Sequence, residues 1–410
     1  MRFRLFSGLY PMAFLAAAIG VFVLIYPQEG FAAALRGVSI WWDVLFPALF
    51  PFFVISEMLL GFGIVHFFGT ILDPMMRPVF RIPGIGGFVM ALGFASGYPV
   101  GARLTSQLWE QKLVNREEGE RLVAFTTSSD PIFLIGAVSI GFFHDASLAL
   151  ILAVAHYGGA IAIGLLMRIH GRKSEPTSLP DLETGPIWVR ALRSMHRARL
   201  NDGRPVGVLL SQAVQHSLGL IFVVGGLVVF FSVVLEVLTA GHVMGFFFTV
   251  VDSLLHAAGM PSSLSAAVMN GIFEVTLGAK AAGTAEAALI SKTAIAAFVL
   301  SWAGLSVHAQ IVSLLSHTNL RYTPFLTARI LHGIFSAIIV LLIWEPLQPL
   351  RRQMAVFLPD ADPSSLLSSW VTWVFPTSLI VFLASFAVIV VLFLAYSLLK
   401  TMYEKVGGTR

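Results

Sequence analysis

Apolar residues recur along this chain in blocks of about 20, long enough to cross a hydrocarbon core roughly 30 Å thick. The blocks predict membrane-spanning helices at 9–26, 41–66, 121–143, 147–169, 208–237, 292–317, 325–345 and 377–399. Two further apolar segments, 84–110 and 260–286, are interrupted by glycine, proline and charge. Non-helical backbone at membrane depth persists only inside protein or beside water, so both read as re-entrant hairpins. The segments before them, 67–82 and 241–258, have the pattern of interfacial amphipathic helices. The first contains Asp73, Arg77 and Arg81, the second Asp252 and His256. A long polar stretch at 170–206 carries Arg172, Lys173, Arg190, Arg193, Arg197, Arg199 and Arg204, and a second loop at 346–375 holds Trp370 and Trp373 as expected interface anchors.

The basic loop divides two halves that register at an offset of about 175, as in transporters built from internal repeats. Ser96-Gly97-Tyr98-Pro99-Val100-Gly101-Ala102-Arg103 and Phe273-Glu274-Val275-Thr276-Leu277-Gly278-Ala279-Lys280 each end on Gly-Ala and a cation. Asp130-Pro131 aligns with Ala303-Gly304, and Gly159-Ala160 with Gly333-Ile334. Each half then has three crossings and one hairpin, and an odd number of crossings turns the second half upside down. The expected fold is an all-α polytopic membrane protein, with about eight transmembrane helices and two re-entrant hairpins in an inverted repeat. Its parts are an N-terminal helix (1–35), a first repeat (36–169), the basic loop (170–206), a second, inverted repeat (207–345), an external loop (346–376) and a C-terminal helix with its tail (377–410).

Composition agrees with this reading. Of 410 residues, 57% are hydrophobic and 12% charged, against about 25% charged in a soluble domain. The alternating segments of a β-barrel are absent. The chain has no cysteine, which excludes disulfides, thiolate metal sites and cysteine nucleophiles. The N-terminus has the outline of a secretory signal, but its apolar core is long for one. A retained span also fits the charges. With a cytoplasmic N-terminus, only Arg36, Lys292, Arg351 and Arg352 fall outside, and Arg103, Lys280 and Arg329 fall within the membrane. Every other Lys and Arg is inside, as the positive-inside rule expects.

The candidate chemistry sits in the interruptions. Gly97 and Pro99 break the first hairpin, and a half-helix N-terminus there attracts anions. Arg103 beyond it offers a planar fork for a carboxylate, or else snorkels to the interface as an anchor. The second hairpin repeats the logic with Asn270, Glu274, Thr276 and Lys280. Glu274 pairs with Lys280 or Arg103, or carries a coupling proton. Thr126-Thr127-Ser128-Ser129-Asp130-Pro131 has the order of a helix N-cap and predicts a broken span. Its hydroxyls line a site, or simply cap their own helix. Ser301, Ser306, His308 and Gln310 are polar at the matching point of the second half. His308 reads as a buried histidine bonded to backbone or as a coupling group, and Arg329 as a snorkelling residue near the cytoplasmic end of its span. Hydrolase, P-loop, dinucleotide and zinc-protease motifs are absent, so no enzyme is expected.

Ser96 to Ala102, Ser128-Ser129-Asp130-Pro131 running into Phe133 to Val138, and Gly271 to Gly278 together resemble the YlbJ-type sporulation integral membrane proteins. The resemblance covers about residues 36–345 and includes a nucleoside-recognition, or gate, domain similar to parts of concentrative nucleoside transporters and ferrous-iron transport proteins. It implies movement of dipicolinate, a pyridine dicarboxylate, across the mother-cell-derived outer forespore membrane. Asp130 departs from the smaller or neutral residue expected before the proline. The expected function is therefore transport of a small anionic solute by alternating access. Arg103, Lys280, Ser96, Tyr98, Ser128, Ser129, Asn270 and Thr276 would bind it, and Glu274 or Asp130 would carry the coupling charge. The partners expected are the bilayer and that anion, with no nucleic acid and no cofactor. The coupling ion, proton or sodium, stays open, as do a neutral-solute carrier and a non-transporting scaffold docking through the basic loop.

Overall fold

The computed structural model describes residues 9–131, 133–177 and 186–351. The expected last span (377–399), Trp370, Trp373 and the C-terminal tail lie outside the described residues. Every regular element among the described residues is helical, which satisfies backbone donors and acceptors within each segment.

The order is α1 (Leu9–Ile25), α2 (Pro27–Ser39), a π-helical turn (Ile40–Leu45), α3 (Phe46–Gly61), α4 (Ile64–Phe80), α5 (Ile85–Ser96), α6 (Tyr98–Glu110) and α7 (Arg116–Thr126). A π-helical segment (Phe133–Phe142) follows, then α8 (Leu148–Leu166), α9 (Ile187–Asp202), α10 (Val206–Ala240), α11 (Gly245–Ala257), α12 (Ser265–Phe273) and α13 (Val275–Thr284). The described chain ends with α14 (Leu289–Trp302), α15 (Gly304–Leu315) and α16 (Tyr322–Ile343). Among the described residues, four stretches are long and apolar enough to span a membrane: Leu148–Ile169, Val206–Ala240, Leu289–Leu315 and Tyr322–Ile343. Counting each of two sharply bent helix pairs as one span makes six.

Those four coincide with the expected spans at 147–169, 208–237, 292–317 and 325–345. The N-terminal region differs. The first span stops at Ile25, and the chain turns by 104° into a helix that starts at Pro27, where a loop was expected. Proline ends the preceding helix and suits the first turn of the next, since the N–H it lacks would be unpaired there anyway. Small residues then hold the helix against α10: Gly30 faces Val233 and Val237, and a Cβ on Gly37 would lie 2.8 Å from the Val229 Cα. Such small-residue seams let helices pack closely in lipid. The Trp41 indole donates to the Ile221 carbonyl at 3.0 Å, and Gly61 meets Leu209. The run from α2 through α3 therefore lies antiparallel to α10. Gly63, at φ 76°, ends α3, and α4 leaves at 82°. The expected interfacial segments form α4 and α11.

Both hairpins form as helix–break–helix units. In the first, the break is Gly97 at φ 94° and ψ 178°, a conformation open in practice only to glycine. Gly93 and Gly101 press against each other and against the Thr126 carbonyl, and a Cβ on either would come within 2.7 Å of that oxygen. In the second, Glu274 is the break, and a Cβ on Gly278 would lie 2.3 Å from the Gly271 Cα. Both expected helix breaks are present too. One opens over 127–130, the other at Ala303 and Gly304. The elements then pack crosswise: α6 lies on α15, α13 on the Phe133–Phe142 segment, and α8 on α16. At one outer end Glu120 binds Arg321 and His170, clamping the start of α7 to the start of α16.

Candidate functional site

The four breaks aim the helices that follow them at one small cavity of about 40 Å³. Tyr98 and Pro99 enter it from α6, Asp130 and Phe133 from the π-helical segment, Glu274 to Thr276 from α13, and Ser306, Val307 and Gln310 from α15. Leu45, Val224 and Val228 form an apolar wall. A helix N-terminus leaves unpaired N–H groups and carries roughly half a positive charge. Each such end favours a negative group, whether supplied by the chain or by a guest.

Two of the ends are answered by the chain itself. Glu274 Oε2 accepts the Leu277 N–H at 2.8 Å, and the Thr276 hydroxyl donates to Oε1 at 3.2 Å. Asp130 Oδ1 accepts the Phe133 N–H at 2.8 Å, the N-cap role that its place before proline foretold. The other two ends, of α6 and α15, have no side-chain cap. Ser306 Oγ, on the first turn of α15, is wholly buried and has no hydrogen-bond partner among the described residues. Ser96 Oγ and Ser129 Oγ are buried in the same condition. The entry to α15 is also strained. Ala303 sits at φ 76°, where a Cβ costs about 1–2 kcal/mol, and strain of this kind collects at functional sites.

Beside the breaks, a buried polar chain joins the two halves. The Ser129 N–H donates to His156 Nε2 at 2.9 Å, which assigns the ring proton to Nδ1. Nδ1 then donates to Ser301 Oγ at 2.8 Å, Ser301 to Ser336 Oγ at 2.7 Å, and Ser336 to the Ala155 carbonyl at 3.1 Å. His332 donates to the His156 carbonyl, and the two rings lie 5.0 Å apart. Arg329 completes the arrangement. It is fully buried, and its guanidinium donates to the Ala124 and Thr127 carbonyls at 2.6 Å each and to the Ser301 carbonyl at 3.2 Å. These oxygens belong to the ends of α7 and α14, where orphan carbonyls and the negative dipole end favour a cation. The expected snorkelling of Arg329 is therefore corrected. A side chain near the end of its own helix in sequence is here covered by two other helices.

The remaining expected residues divide. Tyr98 donates to the Leu300 carbonyl at 2.8 Å, tying hairpin one to the second half. Ser128 bonds His156. Asn270 is half-buried, and its carbonyl accepts the Glu274 N–H at 2.7 Å. Arg103 and Lys280 are not among the residues lining the cavity. Arg103 pairs with Glu57 at 2.9 Å, in a cluster that includes Gln107 and His216. Lys280 is exposed. Glu274 pairs with neither cation and instead caps its own helix. His308 bonds the Tyr322 hydroxyl and the Trp302 carbonyl, as a backbone-bonded buried histidine should.

His156, His332 and Arg329 were not foreseen as central. The histidines carried a readable signal, since 176 residues separate them, close to the offset of about 175 at which the halves register. Among the described residues, no group of three or more His, Asp or Glu could hold a metal ion.

The comparisons with known proteins agree with the membrane reading. Residues 43–173 match the family model described as "Gate: Nucleoside recognition". No solved structure matches. Sporulation integral membrane protein YlbJ of Bacillus subtilis (strain 168) is 44% identical over 327 residues, covering 79% of this chain and 80% of the relative. With that identity over that length, this helical integral membrane protein belongs to the YlbJ family of sporulation membrane proteins.

Proposed function

We propose that this protein moves a small anionic solute across a membrane by alternating access, holding it in the cavity between the hairpin tips and the helix breaks. One observation carries the reading: two uncapped helix ends, of α6 and α15, face the cavity beside the unpartnered Ser306 hydroxyl. A carboxylate there would accept from backbone N–H groups and Ser306, and Gln310 would add a donor.

An inverted repeat supports the alternation. Gly93, Gly101 and Thr126 form one contact triad and Gly271, Gly278 and Val299 its counterpart, while Gly97 matches Glu274 and His156 matches His332. Two like bundles crossing at one site can rock about it, exposing the site to each side in turn. Glu274 and Asp130 share the cavity and repel an anion unless a proton or sodium ion neutralises them. That mutual dependence is a coupling free energy between ion and solute. Arg103 serves in this reading as the anchor of hairpin one through Glu57, and Lys280 as an exposed residue of hairpin two. The family resemblance supplies the identity of the solute, dipicolinate, and the setting, the outer forespore membrane during spore formation.

Uptake by the purified protein in proteoliposomes tests the proposal. Radiolabelled dipicolinate should accumulate. Ser306→Ala with Gln310→Ala should lower uptake by at least tenfold, as expected for losing hydrogen bonds to a charged group, at about 1.5–3 kcal/mol each. The gate family's description favours a second reading, a neutral nucleoside carrier. In that case nucleoside uptake would proceed unaffected by dicarboxylates. A folded protein that moves neither solute would leave only the scaffold reading.

A further inference from the structure

Alternation needs contacts that hold one end of the bundle shut and then release it, and the cluster around Glu120 has that form. Helix α7 belongs to the first half and α16 to the second, and the two pack together. Their starts meet at Glu120, whose side chain is fully buried. It accepts from the Arg321 backbone N–H at 2.9 Å and from Nε and Nη2 at 2.8 Å each. His170 adds a bond at 2.6 Å, from within the first half. Arg121 ties that neighbourhood into one body by donating to the Arg81, His170 and Gly171 carbonyls. The Glu120–Arg321 pair therefore crosses between the halves. Leu320 seats on Gly119 beside it, where a Cβ would lie 2.9 Å away.

The opposite end carries the same arrangement with the signs exchanged. In the register of about 175 residues that relates the halves, α14 corresponds to α7 and α16 to α8. Helix α14 packs on α8 as α7 packs on α16. At the first end an acid, Glu120, sits one turn into α7 and a base, Arg321, directly before α16. At the second end a base, Lys292, sits one turn into α14 and an acid, Asp145, just before α8. Here each of these has another partner. The Lys292 ammonium lies 5.6 Å from the centre of the Phe143 ring, and Asp145 accepts from the Ser147 N–H and hydroxyl.

We propose that these pairs are the two clamps of the transport cycle: Glu120–Arg321 closes the inner end in this conformation, and Asp145–Lys292 closes the outer end in the other. The proposal rests on the alternating-access reading above and names what sets its two states. Phe143 stands two residues before Asp145, so a short closing movement brings Lys292 to the carboxylate. Arg329 lies about 12 Å along α16 from Arg321. It and the histidine chain form the pivot, where rocking moves atoms least, and keep their bonds while the rims part. Unpairing a buried carboxylate is costly in a dry place. Opening admits water to Glu120 and Arg321, and the outer pair that forms at the same moment offsets much of the loss. The two states then lie close enough in free energy for a bound solute to shift their populations.

A flexible bismaleimide joining Ala146→Cys to Ser291→Cys, the residues beside the outer pair, reports closure of the outer end in membranes containing the full-length protein. Arg321→Gln should speed this cross-link at least tenfold, since the inner clamp no longer holds. Adding Lys292→Asp should remove the gain, and adding Asp145→Lys as well should restore it, because two opposite charges are again face to face. Arg36→Gln, a surface arginine elsewhere, should leave the rate unchanged. Glu120→Gln breaks the same pair from the other side and carries the test if Arg321→Gln lowers the unfolding midpoint. A rate indifferent to both inner variants would overturn the inner clamp. A gain that survives Lys292→Asp would overturn the outer one. The cross-link involves no solute, so either failure leaves the uptake result for Ser306 and Gln310 standing.

Discussion

Arg329→Met is expected to destabilise the protein by about 2–4 kcal/mol and to abolish transport. The guanidinium donates to the Ala124, Thr127 and Ser301 carbonyls, and methionine leaves all three without a donor in a fully buried place. An unsatisfied buried acceptor costs about 1–3 kcal/mol. Part of the sum is returned, because removing a buried charge also removes its desolvation cost. The loss should exceed that return. These carbonyls end two helices from different halves, so the arginine fixes the distance between the breaks that define the cavity. Arg329→Lys should fail similarly, since one ammonium cannot reproduce the flat fork. The thermal unfolding midpoint in detergent, read beside uptake, is the check. A variant that melts and transports like wild type would remove Arg329 from the account.

Glu274→Gln should separate binding from coupling. The amide oxygen can still accept the Leu277 N–H, so the α13 cap survives and the fold with it. The negative charge inside the cavity is lost. Uptake driven by an imposed proton or sodium gradient should fall at least tenfold, equivalent to about 1.4 kcal/mol or more of lost coupling. Exchange of internal for external solute, which needs no coupling ion, should persist. Gradient-driven uptake at the wild-type rate would assign the coupling charge elsewhere, with Asp130 next in line.

The breaks were legible because glycine, proline and hydroxyl clusters are rare at membrane depth and each has a local cause. Gly97 is needed for its φ, and Asp130 before Pro131 is a cap written in three residues. Helix α2 was not legible. Glu29, Arg36 and two glycines lower its apolar signal, and what holds it is the valine face of α10, about 200 residues away in sequence, with Arg36 bonded to Glu236 at 2.6 Å. Arg103 and Arg329 show the same limit from opposite sides. Both are cations near a break, yet one meets Glu57 and the other two helix ends, because the neighbours of a side chain are set by packing between distant segments. Spacing along the chain identified which segments converge, and left open which cation each would bury.

Because the chain has no cysteine, Ser306→Cys introduces a lone thiol at the cavity, buried in this conformation and exposed by the alternation to a small membrane-impermeant thiol reagent, whose reaction can be followed in vesicles. The account predicts labelling that slows in proportion to dipicolinate occupancy and is indifferent to nucleosides. Labelling at an unchanged rate in dipicolinate concentrations that saturate uptake would contradict it, because the solute would then bind away from the uncapped ends of α6 and α15.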